Sequence, residues 1–289
     1  MYQQTLLFLV FLTIIFGLWL IFDDAQQDRF DKLQMLIFES NSRDKSPSVE
    51  ESNDKVAISR VFMDWYKRQA KERGDYVNKT VSKDLYNILA PEAFCPRIRI
   101  GRIFDGGKWM CDPVNIPEGC VIFSLGIAGM PSFDEAVQKY TDFKCKIFGY
   151  DKDPRKISLK AFQTIRGFSR AITLSDKTDR MKNTSTIEDL MTLENVTKIE
   201  ILKIDIEGAE YKVMVPFLKK NTVCQILIEI HNTNHDKTKA MIRDIARFDY
   251  LLFNFEVNPY AVFQATEFSF IHKSCLERYS AIELARYLN

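Results

Sequence analysis

Lys203, Asp205 and Glu207 alternate with isoleucines in the stretch IEILKIDIEGAE, residues 199–210. In an extended strand this alternation puts all three charges on one face. Three charges on one face of so apolar a segment are costly unless partners or a polar ligand meet them. A cleft at the end of this strand is therefore expected, with Gly208 freeing the chain to turn away. His231 closes a second apolar run, QILIEIH, residues 225–231. An imidazole at a strand tip facing a cleft, with an ordinary pKa of about 6.5, is a candidate general base. His231, Glu207 and Asp205 thus form the candidate catalytic set, with one of the two acids orienting the base. His231 and His235 have the H-x-x-x-H spacing that suits zinc only on a helix. Because His231 ends a strand, no metal site is expected.

Two more run ends carry candidate binding residues. Ser124-Leu125-Gly126-Ile127-Ala128-Gly129 follows the run CVIFSLG. Gly126 and Gly129 would let backbone approach a ligand and open a helix N-terminus, although the full G-x-G-x-x-G pattern is missing. Asp151, in Tyr150-Asp151-Lys152-Asp153-Pro154, can accept both hydrogen bonds from a ribose diol, since an ionised carboxylate only accepts. Asp151-x-Asp153 also resembles the metal and sugar-nucleotide motif of glycosyltransferases. Each feature has a plain structural reading beside the functional one: a tight turn, a solvated helix cap, an edge strand with one wet face, a strand-end hydrogen bond.

The elements that must position these residues are legible from residue 120 onward. Seven β-rich runs, at 120–126, 145–151, 169–175, 199–207, 224–231, 250–257 and 261–272, alternate with longer mixed segments. Runs apolar on both faces, joined by helix-length crossovers, predict an α/β fold with a mostly parallel sheet covered on both sides. The short link Asn258-Pro259-Tyr260 between the last two predicts an antiparallel hairpin closing the sheet. Ligands of open α/β sheets bind outside the carboxyl ends of the strands, which is where the candidates fall. Before the sheet, Val56, Val61, Phe62, Trp65 and Tyr66 recur near helical spacing and predict a helix ending near Gly74. A second helical stretch runs from Lys83 to Ala90. Residues 56–118 are read as an N-terminal helical cap and 119–289 as the core.

Residues 6–22, LLFLVFLTIIFGLWLIF, are apolar but for Thr13 and Gly17. As a helix they would cover about 25 Å, the short end of what spans a bilayer. No good cleavage site follows, since Asp23 stands at −3 to Ala25. The run reads as an uncleaved signal-anchor, with a polar stem over 23–55 and the remaining chain in the lumen of the endoplasmic reticulum or Golgi. The six cysteines, Cys95, Cys111, Cys120, Cys145, Cys224 and Cys275, permit disulfides there. Cys95 and Cys111 are candidates to staple the cap. Cys120, Cys145 and Cys224 begin strands, on the edge opposite the site. Sequons at Asn78, Asn183 and Asn195 agree with translocation. Lys+Arg 40 against Asp+Glu 39 leaves a net charge of +1, with no electrostatic footprint for nucleic acid. With 46% hydrophobic residues and 22 Phe, the chain can build a large core and is neither collagen-like nor disordered.

LKIDIEGAE at 202–210 resembles the signature of FkbM-type S-adenosylmethionine-dependent methyltransferases, and STIEDLM at 185–191 resembles the segment upstream of it. QILIEIH, FDGGKWMCD at 104–112 and CVIFSLGIAGMPSFDEA at 120–136 resemble a narrower branch, the methyltransferase-like 24 group. The resemblance covers roughly residues 90 to 235. It implies a Rossmann-like methyltransferase fold with S-adenosylmethionine at the carboxyl edge and a membrane anchor ahead of it. Gly126 and Gly129 would flank the methionine part of the cofactor, Asp151 would take the ribose hydroxyls, and Asp205, Glu207 and His231 would border the reaction centre. Ser124 stands where such enzymes usually carry an acid; its hydroxyl can hydrogen-bond but cannot neutralise an α-amino group. The implied activity is O-methyl transfer to a small-molecule, glycan or protein acceptor. The rival readings are a lumenal glycosyltransferase using Asp151 and Asp153, and a non-catalytic descendant of the fold.

Overall fold

The computed structural model describes residues 60–79, 85–103, 105–231, 234–258, 261 and 264–289. The expected anchor and stem lie outside these residues. Among the described residues no helix is long and apolar enough to cross a membrane.

All seven expected runs contribute a strand to one sheet: β1 (Val121–Leu125), β2 (Lys146–Asp151), β3 (Gly167–Ala171), β4 (Ile201–Ile204), β5 (Gln225–His231), β6 (Tyr250–Val257) and β7 (Ala265–His272). Their order across the sheet is β6-β7-β5-β4-β1-β2-β3. β5, β4, β1, β2 and β3 pair in parallel. β7 is antiparallel to both β5 and β6, so the expected closing hairpin forms with its second strand on the inside. An antiparallel pair needs only a short link, whereas each parallel pair needs a crossover. The described helices are α1 (Arg60–Lys79), α2 (Leu85–Ile88), α3 (Ser132–Tyr140), α4 (Leu159–Thr164), α5 (Ile187–Leu193), α6 (Glu210–Leu218) and α7 (His235–Ala246).

Strand alternation divides the core in two. Phe123, Leu125, Leu202, Ile204, Ile226, Ile228 and Ile230 pack with α5, α6 and α7, and with Ala70, Val77 and Leu85 from the first two helices. Ile122, Ile147, Ile201, Leu227 and Ile271 turn the other way, onto Phe133 and Val137 of α3, Phe162 of α4 and Met110. Met110 belongs to a hairpin of residues 97–100 and 108–111 that covers this second face. The expected helical cap is therefore helical only in its first part, because the Gly106-Gly107 turn joins two short strands in place of a helix. α1 also passes Gly74, the expected stop, and continues to Lys79.

All six cysteines are paired, Cys95 with Cys111, Cys120 with Cys145 and Cys224 with Cys275. Cys120, Cys145 and Cys224 directly precede β1, β2 and β5, and Cys275 follows the antiparallel β7. Cys111 exchanges two backbone hydrogen bonds with the side chain of Gln225, the first residue of β5, at 2.9 and 2.8 Å. The three bridges therefore gather at the amino edge of the parallel strands.

Two expected strands stop three or more residues before their runs end. The run at 169–175 breaks at Ile172, and Thr173–Leu174 pairs separately with Thr184–Ser185. The run at 199–207 leaves the strand after Ile204. Asp205 donates one more ladder bond to Leu125 at 2.8 Å, and then Glu207 and Gly208 adopt φ of 58° and 95°.

Candidate active site

At the carboxyl edge, a cleft of about 440 Å³ lies over the ends of β1, β2, β4 and β5. Gly126 follows β1 with φ of 83°. A Cβ there would stand 1.6 Å from the carbonyl oxygen of Asp205, so glycine alone lets the two strand ends come this close. The Gly126 amide donates to the Tyr150 carbonyl at 2.7 Å, and its carbonyl accepts from the Lys203 ammonium. Asp151, at the tip of β2, anchors the loop. One carboxylate oxygen accepts from the Ala128 amide at 2.7 Å and the other from the Asp153 amide at 2.8 Å. Each oxygen keeps acceptor capacity for a ligand.

Across the cleft, β4 and β5 supply the charged wall. Lys203 and Asp205 line it from the end of β4, Glu207 from the turn, and Glu229 and His231 from β5. His231 Nδ1 lies 3.1 Å from Glu210 Oε1, at the start of α6. Its Nε2 faces Glu207 Oε2 at 3.6 Å, Asp205 Oδ1 at 3.7 Å and Glu229 Oε1 at 3.9 Å. Beneath them lies Lys108, 1% exposed, which the hairpin carries down to the sheet. Its ammonium is 3.6 Å from Asp205 Oδ2 and 3.4 Å from Glu229 Oε2, and it binds Glu267 Oε1.

Sheet order, glycine loop and edge cleft recur in many α/β enzymes, so the family is decided by sequence. Residues 16–272 match the family described as "Methyltransferase domain", nearly the whole chain.

The chain belongs to this methyltransferase family.

No curated protein matches it. Similar solved structures include Aeropyrum pernix fibrillarin in complex with natively bound S-adenosyl-L-methionine, at 15% identity, TM-score 0.39, covering 55% of this chain and 68% of that one. Precorrin-6y C5,15-methyltransferase from Geobacter metallireducens is similar at 7% identity and TM-score 0.38, covering 56% and 84%. An O-methyltransferase domain of StiE is similar at 8% identity and TM-score 0.35, covering 53% and 68%.

In this methyltransferase the cleft gathers five of the seven expected site residues: Gly126, Asp151, Asp205, Glu207 and His231. Two lie apart. Gly129 lies outside the cleft, its amide bonded to the Lys156 carbonyl at 3.0 Å. Ser124 is fully buried, because alternation turns it onto the α3 face, in register with Lys203 and Gly149. There it meets the Asp134 carboxyl, which burial pushes up to about 6 against the pull of Lys203. Ser124 is thus a packing residue beneath the loop and makes no contact with the cleft. The argument for a non-catalytic descendant loses its basis with it. The glycosyltransferase reading also loses its second ligand. Asp153 is capped by Arg155, whose guanidinium binds it at 2.7 Å, and does not line the cleft.

Two expected roles change. Glu210, not Asp205 or Glu207, orients the His231 ring. Burial pushes His231 down, but the Glu210 hydrogen bond and the charges of Asp205 and Glu229 outweigh it and raise the imidazole to about 9. It therefore holds its proton more firmly than a free imidazole, which works against a general-base role. Burial pushes Asp205 up, but Lys108, Lys203 and His231 together hold it below the ordinary carboxylate range. Burial, with Glu229 beside it, drives Glu267 well up, against Lys108.

Lys108, Glu210, Glu229 and Glu267 escaped the sequence reading. Glu229 and Glu267 did leave a signal, since each is a lone acid inside an apolar strand, as Asp205 is at the end of β4. Lys108 and Glu210 left none, because their role arises only when the hairpin and α6 pack against those strands.

Proposed function

We propose that this methyltransferase uses S-adenosylmethionine to methylate an oxygen acceptor. The observation that carries the reading is the cleft at the carboxyl edge, with Asp151 at the tip of β2 keeping acceptor capacity on both oxygens. Gly126, Asp151 and the ends of the neighbouring strands line one cleft. The residues present fit the cofactor. Asp151 offers acceptors to a ribose diol, and Gly126 lines the cleft beside it, where the amino-acid part would lie. When bound, the cofactor supplies an electrophilic methyl group on a sulfonium sulfur.

The chain's own residues mainly position the reactants, since in-line displacement depends on alignment at near-attack distance. The wall of Asp205, Glu207 and His231 faces the place where the acceptor would stand. It is charged, which favours a polar oxygen acceptor. Lys108 and Lys203 hold Asp205 ionised and fixed. The quoted motifs favour the FkbM-type, methyltransferase-like 24 branch. The pairing of all six cysteines supports an oxidising compartment, and the run 6–22 supports a membrane anchor, hence a lumenal enzyme of the endoplasmic reticulum or Golgi.

Calorimetry with S-adenosylhomocysteine tests the reading. Asp151→Ala is expected to weaken binding at least tenfold, and unchanged affinity removes the assignment. A thermal-shift comparison of S-adenosylhomocysteine with UDP plus manganese, and with manganese alone, should show stabilisation by S-adenosylhomocysteine and none specific to UDP.

A further inference from the structure

We propose that Asp205, Glu207 and His231 form a binding site for a divalent cation of the manganese class, beside the methyl-donor cleft. What the ion does rests on the methyltransferase reading, but whether it binds does not.

The first ground is convergence. His231 Nε2 faces Glu207 Oε2 at 3.6 Å and Asp205 Oδ1 at 3.7 Å, and one ligand atom from each of the three residues lies within 4.8 Å of the others. None of these pairs is close enough for a hydrogen bond. The gap between them is close to what two metal–ligand bonds of about 2.1 Å span. The second ground is orientation. Glu210, fully buried, holds Nδ1 at 3.1 Å and thereby turns Nε2 toward the two carboxylates. A carboxylate on the far nitrogen is the support that metal-bound imidazoles ordinarily have. The other Glu210 oxygen is buried without a hydrogen-bond partner. The third ground is charge. Asp205, Glu207, Glu210 and Glu229 all stand within 3.1 to 3.9 Å of one imidazole; Lys108 and Lys203 answer Asp205 and Glu229, which leaves more carboxylates than ammonium groups around the ring for an added cation to meet.

The ligand chemistry narrows the ion. Two carboxylates and one imidazole with no thiolate suit Mn²⁺ or Zn²⁺ better than soft cations, and the open side at Glu207, 62% exposed, leaves positions for water and substrate. An acceptor hydroxyl bound to the ion, held by a neighbouring oxygen of the same molecule, loses its proton to water more readily. The oxygen keeps that electron pair and forms the bond to the methyl carbon, while the carbon–sulfur bond breaks and its pair goes to sulfur, leaving a thioether. The site therefore selects a chelating acceptor, such as a vicinal diol or a hydroxy acid.

The test is direct Mn²⁺ binding to the full chain in detergent, stripped with EDTA and followed by the electron paramagnetic resonance signal of free Mn²⁺. One site per chain is expected. Glu207→Gln, mild because the side chain is exposed, should weaken binding at least tenfold, and His231→Ala more. Glu207→Gln should keep the circular-dichroism spectrum and thermal unfolding midpoint of the metal-free unaltered chain, which shows that the variant is folded. Absence of a stoichiometric site, or binding unchanged in Glu207→Gln, overturns the proposal. Loss of S-adenosylhomocysteine binding by the unaltered chain would instead overturn the methyl-donor reading and leave the metal result standing.

Discussion

The two edges of the sheet are built from opposite materials. At the amino edge three disulfides tie β1 to β2, β5 to the segment after β7, and the covering hairpin to its own approach. At the carboxyl edge no covalent link is present among the described residues, and the chain ends are held by charge: Lys108 against three acids, Lys203 against Asp205 and a backbone carbonyl, Glu210 against His231. A disulfide acts largely on the unfolded chain. A buried ion cluster acts on the native state, and is costly when one partner is lost. Rigidity is thus placed away from the cleft, and the cleft edge keeps groups that can change partners. The hairpin of residues 97–100 and 108–111 joins the two edges, with Cys111 at one end of its second strand and Lys108 at the other.

The largest effect should come from the ionic edge. Lys108→Met leaves Asp205, Glu229 and Glu267 around an uncharged side chain, and should cost about 3–5 kcal/mol in denaturant unfolding. Replacing Glu229 and Glu267 with Gln in the same background should recover much of it. A cost below that of a surface substitution would show that the cluster is not held by Lys108.

On the covalent edge the loss should scale with loop length. Replacing both cysteines of the Cys224–Cys275 bridge, separated by 51 residues, should cost about 4 kcal/mol on the chain-entropy account. The Cys120–Cys145 bridge spans 25 residues and should cost slightly less. Neither should change S-adenosylhomocysteine affinity by more than about twofold, because both lie on the edge away from the cleft. A tenfold change would erase the distinction between the edges.

The smallest effect concerns Asp134, beneath the glycine loop. Its native pKa, about 6, stands above an ordinary carboxyl, so the folded state binds the proton more tightly than the unfolded one. Its contribution is then most favourable at low pH and worsens as pH rises from about 4 to 6. Relative to Asp134→Asn, the unaltered protein should lose roughly 2–3 kcal/mol of unfolding free energy across that window. Parallel pH profiles for the two proteins would remove the assignment.

The sheet was legible because its signal is local. Apolar runs such as KIFGYD and QILIEIH mark strands buried on both faces, and strand tips mark the ligand edge. Asp151, Asp205 and His231 followed from that rule alone. What misled was the assumption that alternation continues. It predicts a shared face from Lys203 to Glu207, but the strand stops at Ile204, and Glu207 reaches the cleft through a turn with φ of 58°. Likewise Ser124 follows the glycine-loop pattern but points to α3, since a strand shows each face only every second residue.

The order of residues along the chain determined which segments become strands, where they end, and which charged groups arrive at those ends, because backbone preference and two-residue periodicity act over a few neighbours. Tertiary structure alone decided which carboxylate holds His231, where Lys108 is buried, and that the imidazole holds its proton more firmly than a free one. Those outcomes depend on distances of 3 to 4 Å between groups far apart in the chain, such as Lys108 and Glu229, and electrostatic energy in a buried site follows distance and exclusion of water rather than position in sequence.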